Sequence, residues 1–208
     1  MESRMRREWM LAVVLALASG AAAANDNLIV FVGEKISVEE FKMKLPPGAR
    51  AFDSAFKVKY RVKQLVYGRY DASTIEFEAY DHHGRPGFEK FSHSLMLVSR
   101  DDGKLYHEKY QYYPVFRAAS GAWFGCGPTG PHEAELRAGI SVARPMVFAE
   151  DAFYPISPRM SREAIARWFP SQHFSVRGDK AFCLTGAPVK DLFEVKKHTV
   201  LKARGLFD

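Results

Sequence analysis

An unbroken alternation of apolar and basic residues runs through Phe56-Lys57-Val58-Lys59-Tyr60-Arg61-Val62-Lys63. A period of two residues is that of a β-strand with one buried face, because successive side chains point to opposite sides of a strand. We therefore predict a half-buried strand here, with its aromatic and valine side chains in the core. The basic side chains would form an outward-facing row with a spacing of about 6.7 Å.

A second stretch with the same alternation, Thr74–Tyr80, follows the turn-like residues 68–73 and is predicted to be the antiparallel partner of the first strand. If the apolar faces of both strands coincide, a register with Val62 opposite Phe77 is allowed. This register also sets basic residues opposite acidic ones, Lys63 opposite Glu76 and Arg61 opposite Glu78. Such exposed pairs would fix the register more than they would stabilise the sheet.

The two remaining basic residues of the row, Lys57 and Lys59, have no acidic partner in that register. They are therefore candidate residues for binding an anionic ligand on the exposed face of the sheet. The competing interpretation is an ordinary solvated sheet face, which alternation of this kind also produces.

The first strand of the chain is predicted from the apolar run over residues 28–33. Ser37 lies three residues before Glu40, which is the spacing of a helix capping box. A helix from Ser37 to Leu45 is therefore expected to follow this strand, with prolines ending it.

A β-hairpin is predicted around the Asp102-Gly103 turn, because both residue types accept the backbone angles of a two-residue turn. Its strands lie at about residues 91–98 and at residues 104–113. Centring the hairpin on this turn pairs Val98 with His107, Leu95 with Tyr110 and His93 with Tyr112.

Three tyrosines of the second hairpin strand, Tyr106, Tyr110 and Tyr112, share one strand face in this prediction. A row of tyrosines can stack on sugars or unpaired bases, so they are candidate ligand-binding residues. Packing at the rim of a small barrel is the alternative.

Prolines punctuate the chain from residue 128 onward, so long strands are not expected there. A short hairpin is predicted within residues 115–124, a helix capped by Ser161, and two short strands within residues 173–184. The tail over residues 189–207 fits a helix or a strand, and we favour a strand at its end.

The first 24 residues have the pattern of a secretory signal peptide. Three arginines are followed by the uncharged run Trp9–Ala18 and by small residues up to Ala24. This uncharged region is shorter than the roughly 20 residues that a membrane span needs. We therefore expect cleavage near Ala24 and a periplasmic or secreted mature protein without a transmembrane segment.

The only cysteines are Cys126 and Cys183. An even number of cysteines in an exported chain favours one disulfide between them. The whole chain has a net charge of +6, of which the predicted leader contributes three arginines and two glutamates, leaving +5. This mildly basic balance permits an anionic partner, but it gives no specific signal for nucleic acid.

The turn Asp81-His82-His83 is the one place where a metal site can be suggested from residue types, since imidazole and carboxylate suit zinc. Adjacent histidines on extended chain point in opposite directions, so an ordinary surface turn made by Asp81 is the competing interpretation. The sequence contains no nucleophile elbow, zinc-protease helix, phosphate-binding loop or dinucleotide fingerprint, and no cofactor is implied.

The stretch from Phe52 to Phe77, with its Val66-Tyr67-Gly68 segment between two alternating strands, resembles the opening of exported OB-like barrels, including netrin-like domains. Tyr80-Asp81-His82-His83-Gly84 is similar to a turn in uncharacterised exported bacterial proteins. The first resemblance implies a small barrel. The chain lacks the cysteine framework of the metalloproteinase inhibitors with netrin-like domains, so no functional residue is carried over from them.

Together these patterns predict a mainly β protein with two short helices, built on an antiparallel sheet that an OB-like barrel would close. The predicted organisation is a signal peptide over residues 1–24, an antiparallel β core over 25–127 and a proline-punctuated extension over 128–208 packed on it. The expected function is non-catalytic binding of a protein partner or an anionic ligand through one barrel face. The alternative is an exported hydrolase or metal-dependent enzyme that uses the loop Asp81-His82-His83.

Overall fold

The computed structural model describes residues 27–208, and the predicted signal peptide with its cleavage position near Ala24 lies outside them. Five strands form the first half of the described chain: β1 (Leu28–Phe41), β2 (Ser54–Tyr67), β3 (Thr74–Asp81), β4 (His93–Asp101) and β5 (Lys104–Pro114). A short 3-10 turn, Gly87–Lys90, lies between β3 and β4. The predicted mainly β, antiparallel class is therefore confirmed.

These five strands close into a barrel in the order β1-β2-β3-β5-β4. Neighbouring strands are antiparallel except for β3 and β5, which are parallel and pair at Glu78 and Tyr106. The alternation predicted for β2 is confirmed, because Phe56, Val58 and Tyr60 are at most 1% exposed inside the barrel. They pack there with residues of β1, β3 and β4 and of the 3-10 turn: Ile29, Phe31, Ile75, Phe77, Met96, Val98 and Phe88.

The predicted register between β2 and β3 is wrong by four residues. Phe77 lies opposite Val58 instead of Val62, so that Glu76 faces Lys59 and Glu78 faces Lys57. Both registers keep the apolar faces together, because a shift by an even number of residues leaves each side chain on its own face. The alternation therefore determined the face of each residue but not its partner.

The helix predicted from Ser37 to Leu45 is also wrong, because β1 continues to Phe41. Ser37 lies in the β1–β2 ladder opposite Lys59 instead of capping a helix. Irregularities in the β1–β2 register bend this 14-residue strand around the barrel. Gly33 lies in the bent part, where a Cβ atom would be 2.7 Å from ring atoms of both Phe31 and Tyr60.

The hairpin of β4 and β5 has the predicted Asp102-Gly103 turn and the predicted pairing of Val98 with His107. A register shift between Met96 and Val98 then changes every later pair. The predicted partners of Leu95 and His93 are therefore wrong. Leu95 pairs with Tyr113, because extra residues bulge out of β5 and Tyr110 takes a positive φ of 66°.

The remaining strands are short, as the prolines predicted: β6 (Phe116–Arg117), β7 (Trp123–Cys126), β8 (Arg144–Pro145), β9 (Phe153–Pro155), β10 (Phe174–Arg177), β11 (Lys180–Cys183) and β12 (Thr185–Pro188). The helices are α1 (Gly130–Arg137), α2 (Arg162–Trp168) and α3 (Val189–Lys196), and α3 continues into a π-helical turn, Lys197–Leu201. The predicted cap of α2 is confirmed, since the Ser161 hydroxyl accepts the Ala164 N–H at 3.2 Å.

The predicted Cys126–Cys183 disulfide is confirmed; it joins β7 to β11 with a Cα–Cα distance of 5.5 Å. The strand favoured at the end of the chain is wrong. Leu192, Val195 and Leu201 are buried at helical spacing, and Leu192 and Leu201 pack with residues on the outer face of β1 and β4. Those two strands are thus buried on both faces, which explains their continuous apolar sequences.

Within residues 27–208, no helix has both the length and the apolar character that crossing a membrane requires.

Candidate functional site

A cleft of about 600 Å³ lies where β3 and β5 diverge, and we call it the β3–β5 cleft. Strands β1, β2 and β3, the turn between β4 and β5 and the start of β5 contribute its lining residues. Its lining includes both lysines that the sequence singled out, together with acidic residues and a third lysine: Glu39, Lys57, Lys59, Glu76, Glu78 and Lys104. The apolar residues at the cleft are the partly buried Leu105 and, beneath the charged side chains, the buried Val58 and Phe77.

The expectation that Lys59 has no acidic partner is wrong. Its ammonium lies 2.7 Å from the Glu76 carboxylate, because the observed register places these residues opposite each other. The hydrogen bond between them raises the pKa of Lys59 and lowers the pKa of Glu76. Lys59 is therefore half of an ion pair.

The other two lysines of the cleft are more accessible. Lys57 is exposed, with its ammonium 5.8 Å from the centre of the Phe41 ring. Lys104 lies 3.7 Å from Glu78, whose carboxylate also accepts a hydrogen bond from the Tyr80 hydroxyl. The cleft thus presents positive and negative groups in alternation instead of a stripe of positive charge.

The far end of the basic row is neutralised by β1. The Glu34 carboxylate accepts hydrogen bonds from the Arg61 guanidinium at 2.8 Å and from the Lys63 ammonium at 3.4 Å, and these bonds lower the pKa of Glu34. The predicted partners of these two residues on β3 are therefore wrong. Glu34 follows directly after the segment predicted as the first strand, so only the longer observed strand reveals its position.

The predicted tyrosine row does not form, because the bulge in β5 reverses its alternation. Tyr106 lies outside the barrel with its ring 6.3 Å from that of Tyr80. Tyr112 packs inside the barrel, 5.8 Å from Phe88, and burial raises its pKa to about 12. Tyr110 is exposed, and its hydroxyl is 2.6 Å from Nδ1 of His82.

The loop with Asp81, His82 and His83 forms the predicted surface turn. The Asp81 carboxylate accepts the backbone N–H of His83 at 2.7 Å. His82 instead points toward Tyr110 and toward Asp53, whose carboxylate is 3.8 Å away. In the described part of the chain, no three His, Cys, Asp or Glu residues are grouped so that they could hold a metal ion.

A second cavity, of about 340 Å³, lies beside this loop and is called the loop cavity here. Asp81, His83 and Tyr110 line it together with His107, which the sequence analysis did not select. His107 packs 5.0 Å from Phe88, and burial lowers its pKa to about 4. Because its Nε2 is 3.0 Å from the Gln111 carbonyl oxygen, a neutral ring donates there and holds the β5 bulge. The inward position in the alternation of β5 was the only signal for it.

The β3–β5 cleft combines the larger volume with charged groups of both signs, and the loop cavity combines histidines with a carboxylate that is already hydrogen-bonded. No protein-family model, curated protein or solved structure matches this chain.

Proposed function

We propose that this is an exported, non-catalytic binding protein that holds an extended segment of a protein partner in its β3–β5 cleft. The observation that carries the proposal is the cleft itself, with a volume of about 600 Å³ and lysine and glutamate side chains beside the partly buried Leu105. Clefts of this size with a few placed polar groups are the usual binding sites of folded domains.

Two features support export: the pattern of the first 24 residues and the disulfide. The first 24 residues have the basic, apolar and small-residue order of a signal peptide. The disulfide between Cys126 and Cys183 belongs to an oxidising compartment such as the periplasm or the extracellular space.

The charges favour a polypeptide over a polyanion as the ligand. A polyanion in the cleft would meet the carboxylates of Glu76 and Glu78, which already hold Lys59 and Lys104. A polypeptide segment with residues of both signs can exchange these ion pairs without leaving a charge unpaired.

The edge of β3 favours an extended segment. Its recorded pairing with β5 is limited to Glu78 and Tyr106 within residues 27–208, so β3 faces the cleft with a strand edge. Strand edges accept an additional strand through backbone hydrogen bonds, while side-chain pockets supply specificity.

The resemblance to OB-like barrels points to the same face. The strand order β1-β2-β3-β5-β4, closed between β1 and β4, supports that interpretation. OB-like barrels bind ligands on the face of their second and third strands and on the loop between the fourth and fifth. Here these positions are the walls of the β3–β5 cleft.

The alternative, a hydrolase or metal-dependent enzyme at Asp81-His82-His83, has less support from the geometry. The Asp81 carboxylate is engaged by backbone, and His82 by Tyr110. The Asp53 carboxylate, 3.8 Å from His82, is itself bound by the Lys109 ammonium at 2.7 Å. Neither histidine is therefore paired with a free carboxylate that could act as its partner in catalysis.

The proposal is tested with a displayed library of random peptides, alongside heparin as a polyanion. We expect selected peptides to carry both charge signs, and their binding to shift the amide resonances of residues 76–78 and 103–105. The variant Lys104→Glu should weaken binding, whereas Lys190→Glu, an exposed residue of α3, should not. Binding of heparin at the cleft, or peptide shifts that avoid the cleft, would contradict the proposal.

A further inference from the structure

A third cavity, of about 320 Å³, lies between the barrel and the C-terminal part of the chain. We call it the Lys196 cavity. Its lining includes Lys90, Phe91, Tyr113, Glu133, Tyr154 and Lys196. It shares no lining residue with the β3–β5 cleft. Its walls come from β5, the 3-10 turn, α1, β9 and α3, so only the folded chain assembles it.

Within the described residues, Glu133 supplies the only carboxylate that lines this cavity, and both of its oxygens already accept hydrogen bonds. Its oxygens accept the Thr129 N–H at 2.6 Å, the Thr129 hydroxyl at 2.7 Å and the Arg137 guanidinium at 2.9 Å. Arg137 is 2% exposed and also donates to the Cys126 carbonyl at 2.9 Å. Glu133 and Arg137 therefore neutralise each other.

Lys196 and Lys90 are left with uncompensated positive charge. Among residues 27–208, neither lysine takes part in an ion pair within 4.0 Å. The Lys196 ammonium lies 4.5 Å from the centre of the Tyr113 ring, whose surroundings also include the Arg137 guanidinium at 5.2 Å. Lys90 is exposed at the mouth.

Burial of the ammonium lowers the pKa of Lys196 to about 8, so it remains mostly charged at neutral pH. A buried charge without a counter-ion is costly, and an anion in the cavity would remove that cost.

Aromatic rings form much of the remaining wall. Phe91 and Tyr154 are in edge contact with centroids 5.5 Å apart, and the Tyr113 ring lies against the Lys196 ammonium. Flat apolar surfaces of this kind suit the body of a small organic molecule.

From this arrangement we infer that the Lys196 cavity binds a small organic anion. The carboxylate or phosphate group of the anion lies between Lys196 and Lys90, and its apolar body lies against Tyr113 and Tyr154. This site is separate from the proposed peptide cleft, so one protein would carry two ligands of different chemistry.

The test is calorimetric titration of the mature protein with phenyl phosphate, with benzoate and with neutral benzyl alcohol. We expect at least one anion to bind and benzyl alcohol not to bind; the anion that binds identifies the head group. Lys196→Met and Lys90→Gln should each weaken binding about tenfold or more, which corresponds to at least about 1.4 kcal/mol. Lys197→Met, next to Lys196 but paired with Glu194 at 3.4 Å, is the matched control and should bind normally.

Two results would overturn the inference: neither anion binds more tightly than benzyl alcohol, or Lys196→Met and Lys197→Met affect binding equally. Lys90 is exposed, so Lys90→Gln keeps the test decisive even if Lys196→Met disturbs the fold.

Discussion

Replacing Lys196 with methionine should stabilise the protein, although the substitution changes a side chain in a packed helix. The pKa of Lys196 falls from 10.5 to about 8 on folding. One pKa unit corresponds to about 1.4 kcal/mol, so the fold carries a penalty of about 3 kcal/mol for the charged ammonium. Methionine keeps most of the apolar stem but loses the contact of the ammonium with Tyr113, which contributes about 1 kcal/mol. The expected net gain is about 1–2 kcal/mol at pH 6.5.

The pH dependence gives the prediction its sharpest form. The folded pKa lies below the unfolded pKa, so the unfolded chain binds more protons between pH 8 and pH 10.5. The penalty is therefore fully present below pH 8 and decreases as the pH rises, by about 2 kcal/mol between pH 6.5 and pH 9.5. Glu133, Arg137 and Arg204 are the charged groups that act on Lys196.

The assay is urea denaturation at both pH values with the disulfide intact, comparing the free energies of unfolding of wild type, Lys196→Met and Lys197→Met. The advantage of Lys196→Met should disappear at pH 9.5, and Lys197→Met should show no such change. A variant less stable than wild type at pH 6.5, or a gain equal at both pH values, would refute an uncompensated charge at Lys196.

Three further predictions concern the barrel and its extension. Gly33→Ala should cost about 1–3 kcal/mol in urea denaturation, because its methyl group would collide with a buried aromatic ring on each side; an unchanged midpoint would contradict the close packing. Replacing Cys126 and Cys183 with serine should lower the free energy of unfolding by about 2–4 kcal/mol, measured against oxidised wild type, whereas reduced wild type should behave like the variant. His107 has a folded pKa of about 4, below its usual 6.5, so wild type should lose up to about 3 kcal/mol as the pH falls from 7 to 4, and His107→Gln should lose less over the same titration.

Local patterns predicted the elements whose structure depends on neighbouring residues. The alternation over residues 56–63, the Asp102-Gly103 turn and the Ser161 cap are confirmed because period, turn angles and capping act over a few residues. The disulfide was predicted from there being only two cysteines in a chain with a predicted export signal.

The errors occur where two local solutions were equally good. The capping-box spacing at Ser37 is compatible with a helix, but pairing along β2 keeps those residues in β1. The tail over residues 189–207 fitted the period of a helix and that of a strand. It forms a helix because its apolar side is then buried against the outer face of β1 and β4.

The candidate sites depended most on tertiary structure. Lys57 and Lys59 were found from the sequence and do line the β3–β5 cleft, but the ion pair of Lys59 depends on the β2–β3 register. The tyrosine row failed because one bulge in β5 changes the face of every later residue. The cavity at Lys196 joins five elements that are distant in sequence, so no local pattern could indicate it.

The sequence by itself determined which residues of β2 and β3 face the core, because side-chain direction in a strand follows from a period of two. Only the tertiary structure decided which residue each of them faces, since a shift by an even number of residues buries the same apolar surface. The charge of the cleft and the isolation of Lys196 both follow from those partners, and partners are fixed by the closure of the barrel and by the packing of α3 against it.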